Sequence, residues 1–144
     1  MRPFPLLALV ALAACRPATH PPVDPGPEIR ALLDQSARAW NAGDLDGFLI
    51  TYARDSATTF LTATSLTRGF DAVRERYAAR FEPGAARDSL RFTEVDVRGL
   101  CPDWAWATAR YVLTRGDSVT ATGPFTVILA RRPEGWRMVH DHTS

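Results

Sequence analysis

The sequence has few cysteines and histidines and no marked excess of charge of either sign. Its 144 residues include two cysteines and three histidines, and 17 basic side chains against 16 acidic ones give a formal net charge of +1. A nearly neutral chain without basic runs lacks the positive surface that nucleic acid requires, which excludes nucleic acid as a partner. The histidines and cysteines form no second pair that would complete a zinc site, so neither a metal nor another cofactor is predicted.

What remains is an ordinary globular composition. Hydrophobic residues make up 46% of the chain and charged residues 23%, values that are typical of folded domains and argue against wholesale disorder. The length is sufficient for one domain with its own hydrophobic core and too short for two comfortable ones. We therefore expect a single folded unit.

The first fifteen residues have the pattern of an export signal. Met1-Arg2 provides a positive start, and the apolar run Phe4–Ala13 is too short to remain in a bilayer as a helix. Leu12-Ala13-Ala14-Cys15 resembles the bacterial lipobox, in which the cysteine is lipidated and becomes the new N-terminus. The resemblance implies a signal peptide over residues 1–14 and an exported cell-envelope lipoprotein, held at a membrane by its lipid anchor only. The alternative is an ordinary secretory signal and a secreted or periplasmic protein.

Residues 15–27 are predicted to form a tether that starts at the lipidated cysteine. Five prolines lie between Arg16 and Pro27, and proline-rich segments are extended and semi-rigid. Because Cys15 is either removed or acylated, Cys101 has no disulfide partner and is predicted to be a buried free thiol. The folded domain is predicted over residues 28–144.

Apolar spacing predicts three helices in the first half of this domain. One begins at Glu28 and ends at Gly43, a short one follows the capping residue Asp44, and a third runs from Gly69 to Phe81. The β-branched run Thr58–Thr64 predicts an early strand.

Four strands are predicted in the second half, joined by short turns. They span residues 90–98, 104–114, 119–131 and 136–144, and the apolar alternation slips by one residue near Thr93-Glu94, which predicts a β-bulge. Pro124 predicts an edge position or another bulge. The order favours an α+β fold, with three N-terminal helices packed on a strongly curved, mostly antiparallel sheet that encloses a cone-shaped cavity.

The last strand concentrates the polar chemistry of the chain. Alternation along an unbroken strand places one set of residues on one face, namely Trp136, Met138, His140, His142 and Ser144. Asp141 falls in the opposite set. An aromatic ring, a thioether and two imidazoles on one face predict part of a cavity wall; the alternative is a terminal strand with structural histidines.

Four segments together resemble the SnoaL-like branch of the nuclear-transport-factor-2-like (NTF2-like, cystatin-related) fold. They are Trp40-Asn-Ala-Gly-Asp44, Tyr52-Ala-Arg-Asp55, Gly69-Phe-Asp-Ala-Val73 and the ending Gly135-Trp-Arg-Met-Val-His-Asp-His-Thr-Ser144. The ending also resembles that of the calcium/calmodulin-dependent protein kinase type two association domain. Because the fold hosts isomerases, cyclases, binding modules and oligomerisation domains, the resemblance fixes no single function.

The resemblance implies a pocket that binds a small, partly apolar molecule, with catalysis left open. We predict that the pocket is lined by six residues, Trp40, Tyr52, Phe60, Tyr77, His140 and His142. Enzymes of this fold use a pocket carboxylate as general base, for which the candidates are Glu94, Asp96 and Asp55, each with a solvated or turn-forming role as the alternative.

The strand over residues 104–114 is apolar on one face and carries two tryptophans on the other, which predicts a homodimer through the sheet. Which face lines the cavity stays open, and with it whether Arg110 binds a carboxylate there or forms a surface ion pair. The alternative function is an oligomerisation or association module without catalytic activity.

Overall fold

The computed structural model describes residues 24–144. The predicted signal peptide, Cys15 and the tether up to residue 23 lie outside the described residues. Helix α1 covers Gly26–Ala42, so it begins two residues before the predicted start at Glu28. Pro25 and Pro27 are compatible with this early start, because backbone N–H groups in the first turn have no acceptor within the helix.

The first two helices end and begin where the sequence predicts. Gly43 terminates α1 in the left-handed conformation, with φ of 80°, which glycine adopts without the steric penalty of a side chain. Asp44 caps helix α2 (Leu45–Leu49) by accepting a hydrogen bond from the Gly47 N–H at 2.9 Å.

The segment between α2 and the third helix contains two short strands. Strand β1 is Thr59–Leu61 and strand β2 is Leu66–Arg68, so the predicted strand over Thr58–Thr64 is shorter than expected and a second one follows it. The turn between them is held by Thr62, whose Oγ1 accepts the Ser65 N–H at 3.1 Å. Helix α3 covers Phe70–Ala78 and continues as a 3-10 turn over Ala79–Phe81.

Six strands form one open sheet. Strands β3 (Ser89–Cys101), β4 (Trp104–Arg115), β5 (Ser118–Arg132) and β6 (Gly135–Thr143) make the predicted antiparallel meander. The order across the sheet is β2-β1-β6-β5-β4-β3, and β1 pairs with β6 in parallel. The predicted α+β fold, helices on a mostly antiparallel sheet, is confirmed.

Register shifts interrupt the meander at several places and curve the sheet. The predicted bulge in β3 is confirmed, since the pairing with β4 shifts between Thr93 and Asp96, and Glu94 has a positive φ of 55°. Another shift separates Ile128 from Leu129 in the pairing of β5 with β6. This second shift exchanges the two faces of β6 for the residues that follow Val139.

The prediction of a bulge at Pro124 is wrong, whereas an edge position is confirmed locally, because the pairing of β5 with β6 begins only at Phe125. Pro124 lies in the internal strand β5 and pairs in register with Arg110. Its carbonyl accepts the Ser144 N–H at 3.1 Å, and in an antiparallel ladder the N and C=O of one residue point to the same side. The proline nitrogen therefore points past Thr143, the last paired residue of β6, where the ladder needs no donor.

The helices cover one face of the sheet, which we call the inner face. Ala105, Ala107 and Ala109 lie on the inner face of β4 and are buried, and their small side chains leave room for the helices. The outer face of β4 carries Trp104 and Trp106. The tryptophan side of the strand is therefore the one turned away from the helices.

Cys101 is exposed at the end of β3, so the prediction of a buried thiol is wrong. A register shift between Gly99 and Cys101 interrupts the pairing of β3 with β4, and Cys101 is the last residue of β3, so the thiol lies at the end of the hairpin and not in the core. Among residues 24–144, no helix is both long and apolar enough to cross a bilayer.

Candidate functional site

A cavity of about 630 Å³ lies between the helices and the inner face of the curved sheet. This volume is in the range of natural small-molecule sites. Aromatic side chains form most of its apolar wall, namely Trp40, Phe48, Tyr52, Phe60, Tyr77, Phe92, Tyr111 and Phe125. Strand β6 and the residue after it contribute Met138, Asp141, Thr143 and Ser144.

The aromatic rings pack edge to face around Tyr77. Its ring centroid lies 4.8 Å from that of Phe48, 5.8 Å from that of Phe60 and 6.3 Å from that of Trp40. The Trp40 indole N–H donates to the Asp88 carbonyl at 2.8 Å, which fixes the orientation of the ring. Such contacts add to the stabilisation from burial, so this wall is preformed.

Four of the six predicted pocket residues line the cavity. Trp40, Tyr52, Phe60 and Tyr77 are all in its wall, where α1, the segment after α2, β1 and α3 bring them together. That these four bind a ligand stays a prediction.

His140 and His142 do not line the cavity, and their predicted placement there is wrong. In the pairing with β5, Leu129 lies opposite Met138 but Ile128 lies opposite His140, so Val139 is an extra residue in β6. One extra residue reverses the alternation beyond it. Both histidines consequently share the outer face, where His140 Nδ1 lies 2.7 Å from the Thr59 hydroxyl and His142 is exposed.

The same bulge turns Asp141 inward, so that its carboxyl lies in the cavity wall with only 5% of the residue exposed. Tyr52 donates its hydroxyl to Oδ2 at 2.5 Å, and Thr143 donates to Oδ1 at 2.7 Å. Among the ion pairs of residues 24–144, none includes Asp141. It is the functional candidate that the sequence reasoning missed.

Burial shifts the titration of the groups around this carboxyl. Desolvation raises the pKa of Asp141, and the hydrogen bonds from Tyr52 and Thr143 offset that rise only in part. The pKa of Tyr52 is raised well above its usual value, first by burial and then by the Asp141 charge. Burial and the same charge raise the pKa of Tyr77. Both phenols are therefore neutral at physiological pH.

A carboxyl in this setting can bind a polar ligand atom and exchange a proton with it. A carboxylate has about four acceptor positions, and the two hydroxyl donors occupy one on each oxygen of Asp141. A raised pKa also brings a carboxyl towards the range in which general acids and bases work near neutral pH. The arrangement thus offers one polar anchor on an aromatic wall.

Two arginines lie at the α3 side of the cavity. Arg76 and Arg80 belong to its lining and are exposed, and the Arg76 guanidinium lies 4.8 Å from the centroid of the Phe60 ring. Within residues 24–144, neither arginine forms an ion pair. The exposed α3 side of the cavity around Arg76 and Arg80, which we call the mouth, is therefore positive, whereas the inner wall carries the buried carboxyl of Asp141.

The three carboxylates considered as general bases lie elsewhere. Glu94 is 3.4 Å from Nε of Arg110, and Asp96 is 3.1 Å from Nε of Arg98, both in exposed pairs. Asp55 accepts the backbone N–H two residues along the chain at 2.7 Å, which is the turn-forming role considered as its alternative. None of the three is in the cavity wall, and Arg110 forms the surface pair.

No group of three or more histidine, cysteine, aspartate or glutamate side chains within residues 24–144 could hold a metal ion. His140 and His142 are on one face, as their spacing predicts, but Asp141 faces the cavity behind them. The outer-face histidines are thus without the third ligand that a zinc site needs.

Comparison with known proteins identifies the family. The family model for the SnoaL-like domain matches residues 29–144, and no curated protein matches the chain. A solved NTF2-like protein of unknown function from Shewanella oneidensis is 26% identical, with a TM-score of 0.75; the match covers 83% of this chain and 98% of that one.

Two further structures extend the comparison. A putative calcium/calmodulin-dependent protein kinase type II association domain from Thiobacillus denitrificans is 28% identical, with a TM-score of 0.68 over 86% of this chain and 98% of that one. A cystatin-like protein of unknown function from Nostoc punctiforme, 14% identical with a TM-score of 0.67 over 81% and 86% of the two chains, shows the shared fold alone. Since the family model matches nearly all of residues 24–144, the chain belongs to the SnoaL-like domain family.

Proposed function

We propose that this domain binds a small, partly apolar molecule in its cavity, with Asp141 as the polar anchor. The observation that carries the proposal is the Asp141 carboxyl, which is buried in an aromatic wall and held by Tyr52 and Thr143. Burying a carboxyl without a cationic partner is unfavourable. A position that served stability alone would be better filled by an apolar side chain.

The lining defines the chemistry of the ligand. The aromatic wall favours an apolar, ring-containing body, and Asp141 favours a hydroxyl or ammonium group that donates to a carboxylate. An anionic group is repelled by Asp141 and attracted by Arg76 and Arg80 at the mouth. A molecule with an acidic end would therefore bind with that end outward.

Three probes with one body separate these contributions. 2-Naphthol, 2-naphthylmethylamine and 2-naphthoate share the naphthalene ring and differ in the group at position 2, and their affinities are measurable by calorimetry. We expect Asp141→Asn to weaken the amine at least tenfold and to leave or improve the binding of naphthoate. His142→Ala, on the outer face, is the matched control and should change none of the three. Equal affinities in wild type and Asp141→Asn would contradict the anchor role.

We also propose that the domain is exported and carried on a lipid anchor at Cys15. The support is the sequence of residues 1–15, with its apolar run and its lipobox-like ending. In a bacterial host, metabolic labelling with a fatty acid should modify the wild-type chain and leave Cys15→Ser unlabelled. Labelling of Cys15→Ser to the same extent would contradict attachment at this residue.

The second candidate function is an association module, in which the outer face of the sheet joins two copies. Trp106 and Ile128 lie opposite each other there and are only partly buried, and the Thiobacillus relative is described as a putative association domain. Light scattering should give a dimer mass for wild type and a monomer mass for Trp106→Ser. A monomeric wild type would remove this candidate without affecting the binding proposal.

A further inference from the structure

The hairpin formed by β3 and β4 presents apolar side chains to solvent at one end of the sheet. We call residues 100–104 the hairpin tip. Leu100 is 61% exposed and Trp104 is 43% exposed, and Trp104 pairs with Cys101 across the tip. Two large apolar side chains exposed within one hairpin tip are a feature of binding surfaces.

The described chain begins beside this tip. Pro25 is buried, and its Cδ would lie 3.4 Å from a Cβ placed on Gly99, the residue just before the tip. The tip itself is fixed to the sheet, because the Asp103 carbonyl accepts the Arg131 N–H at 2.8 Å. The tether therefore joins the domain at the end of the sheet where Leu100 and Trp104 are exposed.

The length of the tether limits how far this end can lie from a membrane anchor. Eight residues, 16–23, separate Cys15 from Asp24. At about 3.1 Å per residue for a proline-rich segment, they reach roughly 25–30 Å. The turn between β4 and β5, around Gly116 and Asp117, is at the other end of a twelve-residue strand, about 40 Å away at 3.3 Å per residue.

The chemistry of the tip suits the interfacial layer of a bilayer. Tryptophan is enriched at membrane–water interfaces, because its ring is apolar and its N–H is polar. Two arginines that adjoin the tip in the sheet are paired, Arg98 with Asp96 and Arg131 with Glu28, so the contact would depend on apolar burial and not on lipid charge. A chain already held at the surface needs little additional affinity for such a contact.

We propose that the hairpin tip docks on the phospholipid bilayer to which Cys15 is anchored, with Leu100 and Trp104 in the interfacial layer. This inference rests on the proposed lipid anchor. It gives the domain a defined orientation, with the β4–β5 turn directed away from the membrane.

The test uses Cys101 as a reporter. It is the only cysteine besides Cys15, so in the lipidated full chain it is the only free thiol, and it is exposed. The chain is purified from membranes, labelled at Cys101 with an environment-sensitive fluorophore and reconstituted in phosphatidylcholine vesicles that contain a spin-labelled phosphatidylcholine as quencher. The matched control is Cys101→Ser with Asp117→Cys, labelled at the opposite end.

We expect the spin-labelled lipid to quench the label at 101 at least twofold more than the label at 117, independently of salt. The double variant Leu100→Ser, Trp104→Ser, with the label at 101, should lose this difference while keeping its circular dichroism spectrum. Mass analysis of the N-terminal peptide reports lipidation of Cys15 in the same samples.

The outcomes separate the two proposals. An unmodified Cys15 removes the anchor and the docking with it. A lipidated Cys15 with equal quenching at 101 and 117 overturns the docking and leaves the anchor in place. A label at 101 that is shielded from water but not quenched by the lipid also overturns the docking, because a second copy of the chain then covers the tip.

Discussion

On the outer face of the sheet, Glu94 and Asp96 lie in solvent beside arginines, whereas on the inner face the carboxyl of Asp141 is buried between two hydroxyl donors. Exposed ion pairs contribute little to stability, and a buried carboxyl without a counter-ion opposes it. The two faces thus hold the same chemical group in opposite energetic settings. Of the three carboxyls, only Asp141 lies where a molecule in the cavity could contact it, and three experiments test this contrast.

The largest difference in the free energy of unfolding should be between variants of two tryptophans, one in the cavity wall and one on the outer face of the sheet. Trp40 is 4% exposed and packs in the cavity wall, while Trp104 is 43% exposed. Trp40→Ala should lower the free energy of unfolding by about 3–5 kcal/mol, since it removes a buried aromatic ring. Trp104→Ala, the matched control, should lower it by no more than about 0.5 kcal/mol. Urea denaturation measures both; comparable losses would mean that the outer face is buried in solution.

A smaller effect, with a characteristic pH dependence, should follow from Asp141→Asn. Burial raises the pKa of Asp141, so the folded state binds more protons than the unfolded state between the two pKa values. The stability that this group contributes is then lost as the pH rises through its folded pKa. Relative to wild type, the variant should gain stability as the pH rises above the usual aspartate pKa, and the gain should level off above the raised pKa of the folded state.

Urea unfolding of wild type and variant across this pH range measures that gain. Asp96→Asn is the matched control on the outer face, and we expect it to remain within about 0.5 kcal/mol of wild type throughout. A difference between wild type and Asp141→Asn that is constant with pH would contradict a raised pKa.

The smallest effect concerns the bulge in β3. Glu94 has a positive φ of 55°, a conformation that is strained for any residue but glycine. Glu94→Gly should therefore raise the free energy of unfolding by up to about 1 kcal/mol. Glu94→Gln removes only the charge beside Arg110 and should change stability by less than about 0.5 kcal/mol. If the glutamine variant lost more than that, the exposed pair would matter and the contrast between the faces would weaken.

The fold was predictable because its signals are local and apolar. The stripe that ends with Trp40, the glycine after it and the capping Asp44 define the first two helices without reference to the rest of the chain. The bulge in β3 was visible as well, since apolar residues at 90 and 92 give way to apolar residues at 95 and 97. Strand β2 has only three residues and carries no such periodicity.

The cavity was only partly predictable, because only the apolar part of its lining leaves a local pattern in the sequence. Its aromatic wall follows from apolar spacing, but the bulge at Val139 is followed by polar residues on both faces of β6. Polar residues on both faces do not show which face is buried, so the sequence contains no sign of the bulge and alternation alone places His140 and His142 on the inner face. Alternation places Asp141 on the outer face for the same reason, because a single extra residue exchanges the residues of the two faces.

The position of β6 between β1 and β5 has a consequence for how the chain folds. Thr59 and His140 are adjacent in the sheet although they are 81 residues apart in sequence, and the Tyr52–Asp141 hydrogen bond spans 89 residues. Pairings of such long range require a large loop to close first, and domains that depend on them fold in milliseconds to seconds. The helical half and the meander can each form early, but the cavity between them is completed only when β6 takes its place against β1.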